Sequence, residues 1–221
     1  KKVIMIMTII ISIEGNIGSG KSSVIEKLKK NYPNFHYLQE PVDVWTNNTD
    51  ENGKTILDYF YGDNTRWAYT FQNLAYITRI QQILEVKDKY DVIVTERSIF
   101  TDRNVFAKIL EQDGHINKIE KSLYDKWFEL LKKDVKIDGY IYIKADPKVS
   151  YERIKKRNRQ GEENIPLEYL EKLHKAHNEW LIQENTTHID GNTEMSDDYI
   201  HNIYCQIEWI IKGVRGTIYT D

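Results

Sequence analysis

A chain of 221 residues suits one α/β domain, residues 1–221, with a full-sized core better than two small domains. With 31 Lys and Arg against 34 Asp and Glu, the formal charge of −3 supplies no field toward nucleic acid or an anionic membrane. Neither is expected as a partner, and a small metabolite is favoured. One cysteine, Cys205, excludes an internal disulfide and, without a zinc spacing beside it, points to a reducing compartment. It is expected to be a buried core residue.

The apolar run Val3 to Ile13 is too short to span a bilayer and has no small-residue cleavage site after it, so no targeting segment is read and a cytoplasmic location is expected. Within that run, Thr8 to Glu14 has the β-branched composition of a buried central strand. Further β-type runs follow at Phe35–Leu38, Asp91–Thr95, Gly139–Lys144 and Thr187–Ile189. Helical patterns separate them. Trp67 to Lys89 is long and free of Gly and Pro, Leu123 to Lys133 is amphipathic, Pro166 opens a helix over Leu167 to Asn185, and Met195 to Lys212 closes the chain. The polar stretch Thr46 to Lys54 reads as a surface loop. Alternation of strand and helix predicts a central parallel sheet of about five strands flanked by helices.

Between the first strand and its helix, Gly15-Asn16-Ile17-Gly18-Ser19-Gly20-Lys21-Ser22 fits the phosphate-loop pattern G-x-x-x-x-G-K-[ST] completely. Such a loop closes backbone N–H groups around phosphate oxygens at a helix N-terminus, Ser23 included. Lys21 then reaches the β- and γ-phosphates and Ser22 can hold Mg²⁺. ATP or another nucleoside triphosphate is therefore expected. No N-K-x-D guanine element is present and the chain is short for a motor ATPase, so a small-molecule kinase is favoured.

Four further segments follow in order: Glu40-Pro-Val-Asp-Val-Trp45, Phe71-Gln72, Glu96-Arg97-Ser98 and Ile165-Pro-Leu-Glu-Tyr-Leu-Glu-Lys-Leu-His174. With the phosphate loop, they resemble the deoxynucleoside kinases, particularly the deoxycytidine/deoxyguanosine kinase branch, over roughly residues 9–180. The resemblance implies the P-loop kinase fold with an arginine-rich lid at about 153–164. It also implies phosphoryl transfer to the 5′-hydroxyl of a deoxynucleoside, a purine deoxynucleoside or deoxycytidine rather than thymidine, and a homodimer. A thymidylate-kinase-like enzyme and a non-catalytic nucleotide-binding subunit are the competing readings. Glu-Pro-Val-x-x-Trp and Glu-Arg-Ser oppose the first. Retention of Lys21 and Glu40 opposes the second.

By that resemblance Glu40 is the general base, Glu96 joins Ser22 at Mg²⁺, and Arg97 meets the 5′-oxygen. Adjacent residues on a strand face opposite ways, so Glu96 and Arg97 reach one site only if the strand ends there. Gln72 is implied to read the base beside Phe71, and it shares a helix face with Arg79 seven residues on. Arg79 and Asp102 fall where the branch carries an Arg–Asp pair. Trp45, Tyr61 and Phe106 fall where aromatics flank the nucleoside, although core packing explains an aromatic as readily. Tyr61 and Glu162 are implied to meet the 3′-OH, with Glu163 as the competing register.

The basic run Tyr151 to Arg159 reads as a solvated helix face, a nucleic-acid patch or a phosphate-clamping lid. Arg153, Arg157 and Arg159 stand where the family's lid arginines stand, which favours the lid. His174 and His177 lack a third ligand at a usual spacing and read as helix packing. At Asp190-Gly-Asn-Thr-Glu194 the likeness is too weak to carry individual contacts over.

Overall fold

The computed structural model describes residues 8–47, 49–158, 162 and 165–218. In chain order these form β1 (Ile9–Glu14), α1 (Lys21–Asn31), β2 (His36–Leu38), α2 (Val42–Asn47), α3 (Ile56–Gly62), α4 (Asn64–Val86) and β3 (Val92–Glu96). Next come α5 (Ile99–Thr101), a π-helical turn (Asp102–Ala107), α6 (Lys108–Gln112), α7 (Lys118–Leu131) and a 3-10 turn (Lys132–Asp134). The chain continues through β4 (Gly139–Lys144), α8 (Pro147–Arg157), α9 (Leu167–Leu181), β5 (Thr186–Asp190) and α10 (Asp197–Ile218).

All five expected strands form one parallel sheet in the order β2-β3-β1-β4-β5, so the strand leading into the phosphate loop is central. Successive side chains of β1 face opposite layers, as the pleat requires. Ile10 joins Ile93 and the α4 and α7 residues Ile80 and Phe128, while Ile9, Ile11 and Ile13 join Val24, Leu28 and the α10 residues Ile203 and Ile207. Burial on both faces explains a strand that is apolar without alternation. The sheet therefore stands rigidly between two helical layers, with the carboxyl ends of β1, β2 and β3 along one edge.

Several boundaries differ from expectation for local reasons. α4 starts at Asn64, ahead of Trp67, because the Asp63 carboxylate accepts the Arg66 N–H at 3.1 Å as an N-cap. α7 starts at Lys118 rather than Leu123, because Asn117 and Glu120 form a capping box. Thr46 and Asn47 belong to α2 instead of the surface loop. Neither α2, α3 nor the helical stretch from Ile99 to Gln112 was named from the sequence. Val3 to Met7, Arg159 and Glu163 lie outside the described residues.

Cys205 is corrected: it is exposed. On α10 the buried stripe runs through Ile200, Ile203, Ile207, Ile210 and Ile211, and Cys205 lies two residues, about 200° of rotation, from Ile203. His177 packs as expected, fully buried and stacked on Tyr142 at 5.9 Å between ring centres. Among the described residues no helix is long and apolar enough to cross a membrane.

Candidate active site

At the carboxyl edge of the sheet, β1 runs into the phosphate loop and α1 begins without any side-chain N-cap. Gly20 stands there at φ 100°, and Lys21, Ser22 and Ser23 of the first turn of α1 line the cleft, where a helix N-terminus favours an anion. Gly18, at φ 75°, is required twice over: a Cβ would lie 2.5 Å from the Ser150 carbonyl oxygen, so the loop is seated directly on α8. Asn16 turns away from the cleft, donating to the Leu170 carbonyl at 2.9 Å and accepting from the Ile17 N–H. Its side chain thus anchors the loop to α9 and contributes to a phosphate site through backbone alone.

Lys21 is 4% exposed and donates to the Asn16 carbonyl at 2.7 Å. Burial, with Arg97 nearby, pulls its pKa down to about 7 against the opposing pull of Glu96, Glu40 and Glu14. An anion entering the loop restores the charged form. Ser22 donates to Glu96 at 2.7 Å, so two hard oxygen donors meet beside the loop. Glu96 ends β3 and Arg97 follows it at φ 61°, a left-handed conformation that costs a non-glycine residue about 1–3 kcal/mol. That kink satisfies the geometric condition stated above. Strand alternation breaks after Glu96, and both side chains enter one cleft.

Opposite the loop, Glu40 sits two residues beyond β2. Arg79 and Arg97 both donate to its Oε1, Arg97 at 2.7 Å, while Oε2 accepts nothing from the described residues. Burial pushes the Glu40 carboxyl up, but Arg97, Arg79 and Lys21 outweigh it and hold the group well below the carboxylate range. Arg79 is fixed on three sides: Nε to Asp102 at 3.0 Å, Nη1 to the Glu96 carbonyl at 2.9 Å, and Nη2 to Glu40. Its guanidinium lies 5.5 Å from the Trp45 ring centre. Asp102 and Phe106 come from the π-helical turn, and Phe106 flanks Arg97 at 5.2 Å.

Trp45, Tyr61, Phe71, Gln72 and Phe106 line the same cleft as Lys21, Glu40 and Arg97, and Trp45 and Phe71 belong to the hydrophobic core as well. Trp45 packs edge-on against Phe71 at 5.4 Å with its N–H on Thr78 at 3.0 Å. The Gln72 carboxamide oxygen is buried without a partner among the described residues, which suits a group awaiting a donor. Ala75 joins the wall, and Val42, Leu57, Phe60 and Tyr169, which were missed, complete it. Tyr169 lay inside a segment already singled out, and its place in the first turn of α9 was the available signal.

The basic run splits. Arg157 lines the cleft and is paired with Glu162, whereas Arg153 turns to the backbone, donating to the carbonyls of Gly191 at 2.8 Å and Ser19 at 3.3 Å. Arg153 is thus beside the phosphate loop but outside the cleft lining.

A family model described as deoxynucleoside kinase matches residues 11–218. Among curated proteins, a probable deoxycytidine kinase of fowlpox virus (strain NVSL) is 38% identical over 199 residues, covering 85% of this chain and 81% of the relative. Deoxycytidine kinase 2 of Gallus gallus is 37% identical over 202 residues, covering 81% and 76%. The mitochondrial deoxyguanosine kinase of Xenopus laevis is 35% identical over 196 residues, covering 80% and 74%.

Proposed function

This chain belongs to the deoxynucleoside kinase family, and on that premise we propose that it transfers the terminal phosphate of ATP, or of another nucleoside triphosphate, to the 5′-hydroxyl of a deoxynucleoside. Deoxycytidine and the purine deoxynucleosides are the substrates, ahead of thymidine. One observation carries the reading: Glu40, a carboxylate with one oxygen that accepts nothing from the described residues, shares a cleft with the phosphate-loop lysine and with Arg79, Arg97 and Gln72.

In this reading the 5′-hydroxyl hydrogen-bonds to Glu40 Oε2. As the new O–P bond forms and the bond to the leaving diphosphate breaks, the proton passes to Glu40, and the products are the 5′-monophosphate and a nucleoside diphosphate. A carboxylate held so far below the ordinary range is a weak base, which suits a loose transition state in which the nucleophile loses its proton late. Lys21, the loop N–H groups and Arg97 face the phosphoryl charge, and Arg157 joins them once it leaves Glu162, as part of a lid over residues 153–164. Arg153 steadies the loop backbone from outside, and Arg159 is proposed for the lid on sequence alone. Ser22 and Glu96, oxygen donors in contact, fit Mg²⁺, which would supply charge neutralisation at the β- and γ-oxygens. Gln72 and the Arg79–Asp102 pair face the base, with Trp45, Phe71 and Phe106 beside it, while Tyr61 and Glu162 face the sugar.

A coupled ADP-release assay with the four deoxynucleosides tests the reading. Turnover with deoxycytidine or purine deoxynucleosides is expected. Turnover only with a monophosphate, or none, overturns it.

We also infer a homodimer. Ile119, Leu123, Trp127 and Leu130 form an exposed stripe on α7, and Ile77 and Leu84 lie exposed on the neighbouring α4. Sedimentation of the wild type should give twice the chain mass, and Trp127→Glu should halve it; a monomeric wild type ends the inference. A lone exposed cysteine fits the reducing cytoplasm.

A further inference from the structure

Glu14 is the last residue of β1, fully buried, and no role has so far been found for it. A carboxylate without access to water must be satisfied by donors, and three hydroxyls supply them. Ser12 donates to Oε1 at 2.6 Å, Ser98 donates to Oε1 at 2.9 Å, and Thr101 donates to Oε2. The partner on its own strand is local; Ser98 and Thr101 lie across on the segment that follows β3.

That segment is where the chain kinks. Arg97 stands in the left-handed region, its N–H bonded to the Ile13 carbonyl at 3.0 Å and its carbonyl accepting from the Thr95 hydroxyl at 3.1 Å. Ser98, the next residue, starts α5 as its N-cap with Thr101 as the reciprocal partner. Glu14 grips both hydroxyls of that cap. The backbone on either side of Arg97 is thereby tied to β1, by Ile13 before the kink and Glu14 after it.

We propose that Glu14 is a positioning residue for phosphoryl transfer: by holding Ser98 and Thr101 it keeps the kink at Arg97 closed, so that Arg97 stays on Glu40 and on the face where Glu96 meets Ser22. It touches no substrate. Its action passes through Arg97, whose guanidinium holds one Glu40 oxygen while the other faces the cleft. Acceptors are needed on both arms rather than shape alone, because one oxygen takes two hydroxyls and the other takes Thr101. The proposal rests on the kinase reading and names a group that the reading leaves unused.

The test is a double-mutant cycle in the full chain, with deoxycytidine and ATP. Glu14→Gln keeps the shape but turns an acceptor into a donor, and should lower kcat by roughly tenfold or more while the deoxycytidine KM stays within about twofold. In an Arg97→Met background the same change should lower the residual kcat by less than about twofold, since the route through Arg97 is already gone. Equal fold-losses in both backgrounds, or a lowered Tm with unchanged kcat, overturn the proposal. Should Glu14→Gln fail to fold, Ser98→Ala, which removes one of the held hydroxyls, takes its place under the same criteria. A wild type that turns over no deoxynucleoside overturns the kinase reading itself, and is seen before any variant is made.

Discussion

On the side of the cleft proposed to seat the nucleoside, Glu40, Arg79, Arg97 and Asp102 are already bonded to one another, the two arginines and Asp102 buried and Glu40 partly so. On the side proposed to take the triphosphate, the two described lid arginines are occupied elsewhere, Arg153 by backbone carbonyls and Arg157 by Glu162. The first group is preorganised and needs no rearrangement to act on a hydroxyl. The second needs an exchange of partners, because Arg157 can meet phosphate only after leaving Glu162. In the proposed mechanism the groups that must be accurate are locked by mutual pairing, and Arg157, which must move, is parked on a replaceable partner.

The largest expected effect comes from breaking the locked side at its centre. Glu40→Gln should lower kcat by at least ~10² with little change in nucleoside affinity, because the amide keeps the shape but cannot take the 5′-proton. Steady-state kinetics with wild-type-like turnover would remove Glu40 as the base.

Selectivity probes the same side. Removing Arg79 alone leaves the buried Asp102 uncompensated, a loss of roughly 3–5 kcal/mol, so a single variant should be damaged broadly. Arg79→Met with Asp102→Ala removes the pair together and opens space for a methyl group. The ratio of thymidine to deoxycytidine kcat/KM should rise by roughly tenfold to hundredfold, while absolute kcat falls because Arg79 also holds Glu40. An unaltered ranking of the four deoxynucleosides refutes the pair as the base reader.

The smallest effect belongs to the replaceable side. Arg157→Ala should lower kcat by about tenfold and leave the nucleoside KM nearly unchanged, since the charge it meets develops after the substrates are seated. An unchanged kcat would place Arg157 outside the reaction. A loss seen mainly in the nucleoside KM would mean that its pairing with Glu162 shapes the sugar site instead.

The phosphate loop was the most legible part of the cleft in the sequence. Strand β1 and its loop are contiguous, and their β-branched run, glycines and lysine announce one local structure. Glu40, Glu96, Arg97, Arg79 and Asp102 were each identified, and Arg79 with Asp102 as a pair, yet the bonds of Glu40 to Arg79 and Arg97 were not, because those partners lie far apart in the chain. The left-handed Arg97 gave no compositional sign, since glycine does not occupy the position. Arg153 and Arg157 share a helix face in the sequence, and the structure sends them to different partners because the Gly191 and Ser19 carbonyls are within reach of only one. Cys205 misled for a simpler reason: one residue type carried the expectation, while the isoleucine stripe of α10 already marked the opposite face as the core.

The seat of Gly18 on α8 has a mechanical consequence. Ser150 and Ile154 leave no room for even a methyl group between that helix and the loop, so the first two turns of α8 travel with the phosphate loop as one body. Any motion that swings Arg157 relative to the loop must bend α8 after Ile154, within its last turn before Asn158 at φ 48°. The lever arm is then barely one helical turn. In the proposed lid, Arg157 would exchange its salt bridge with Glu162 for a phosphate from the end of a helix whose beginning stays seated on the phosphate loop.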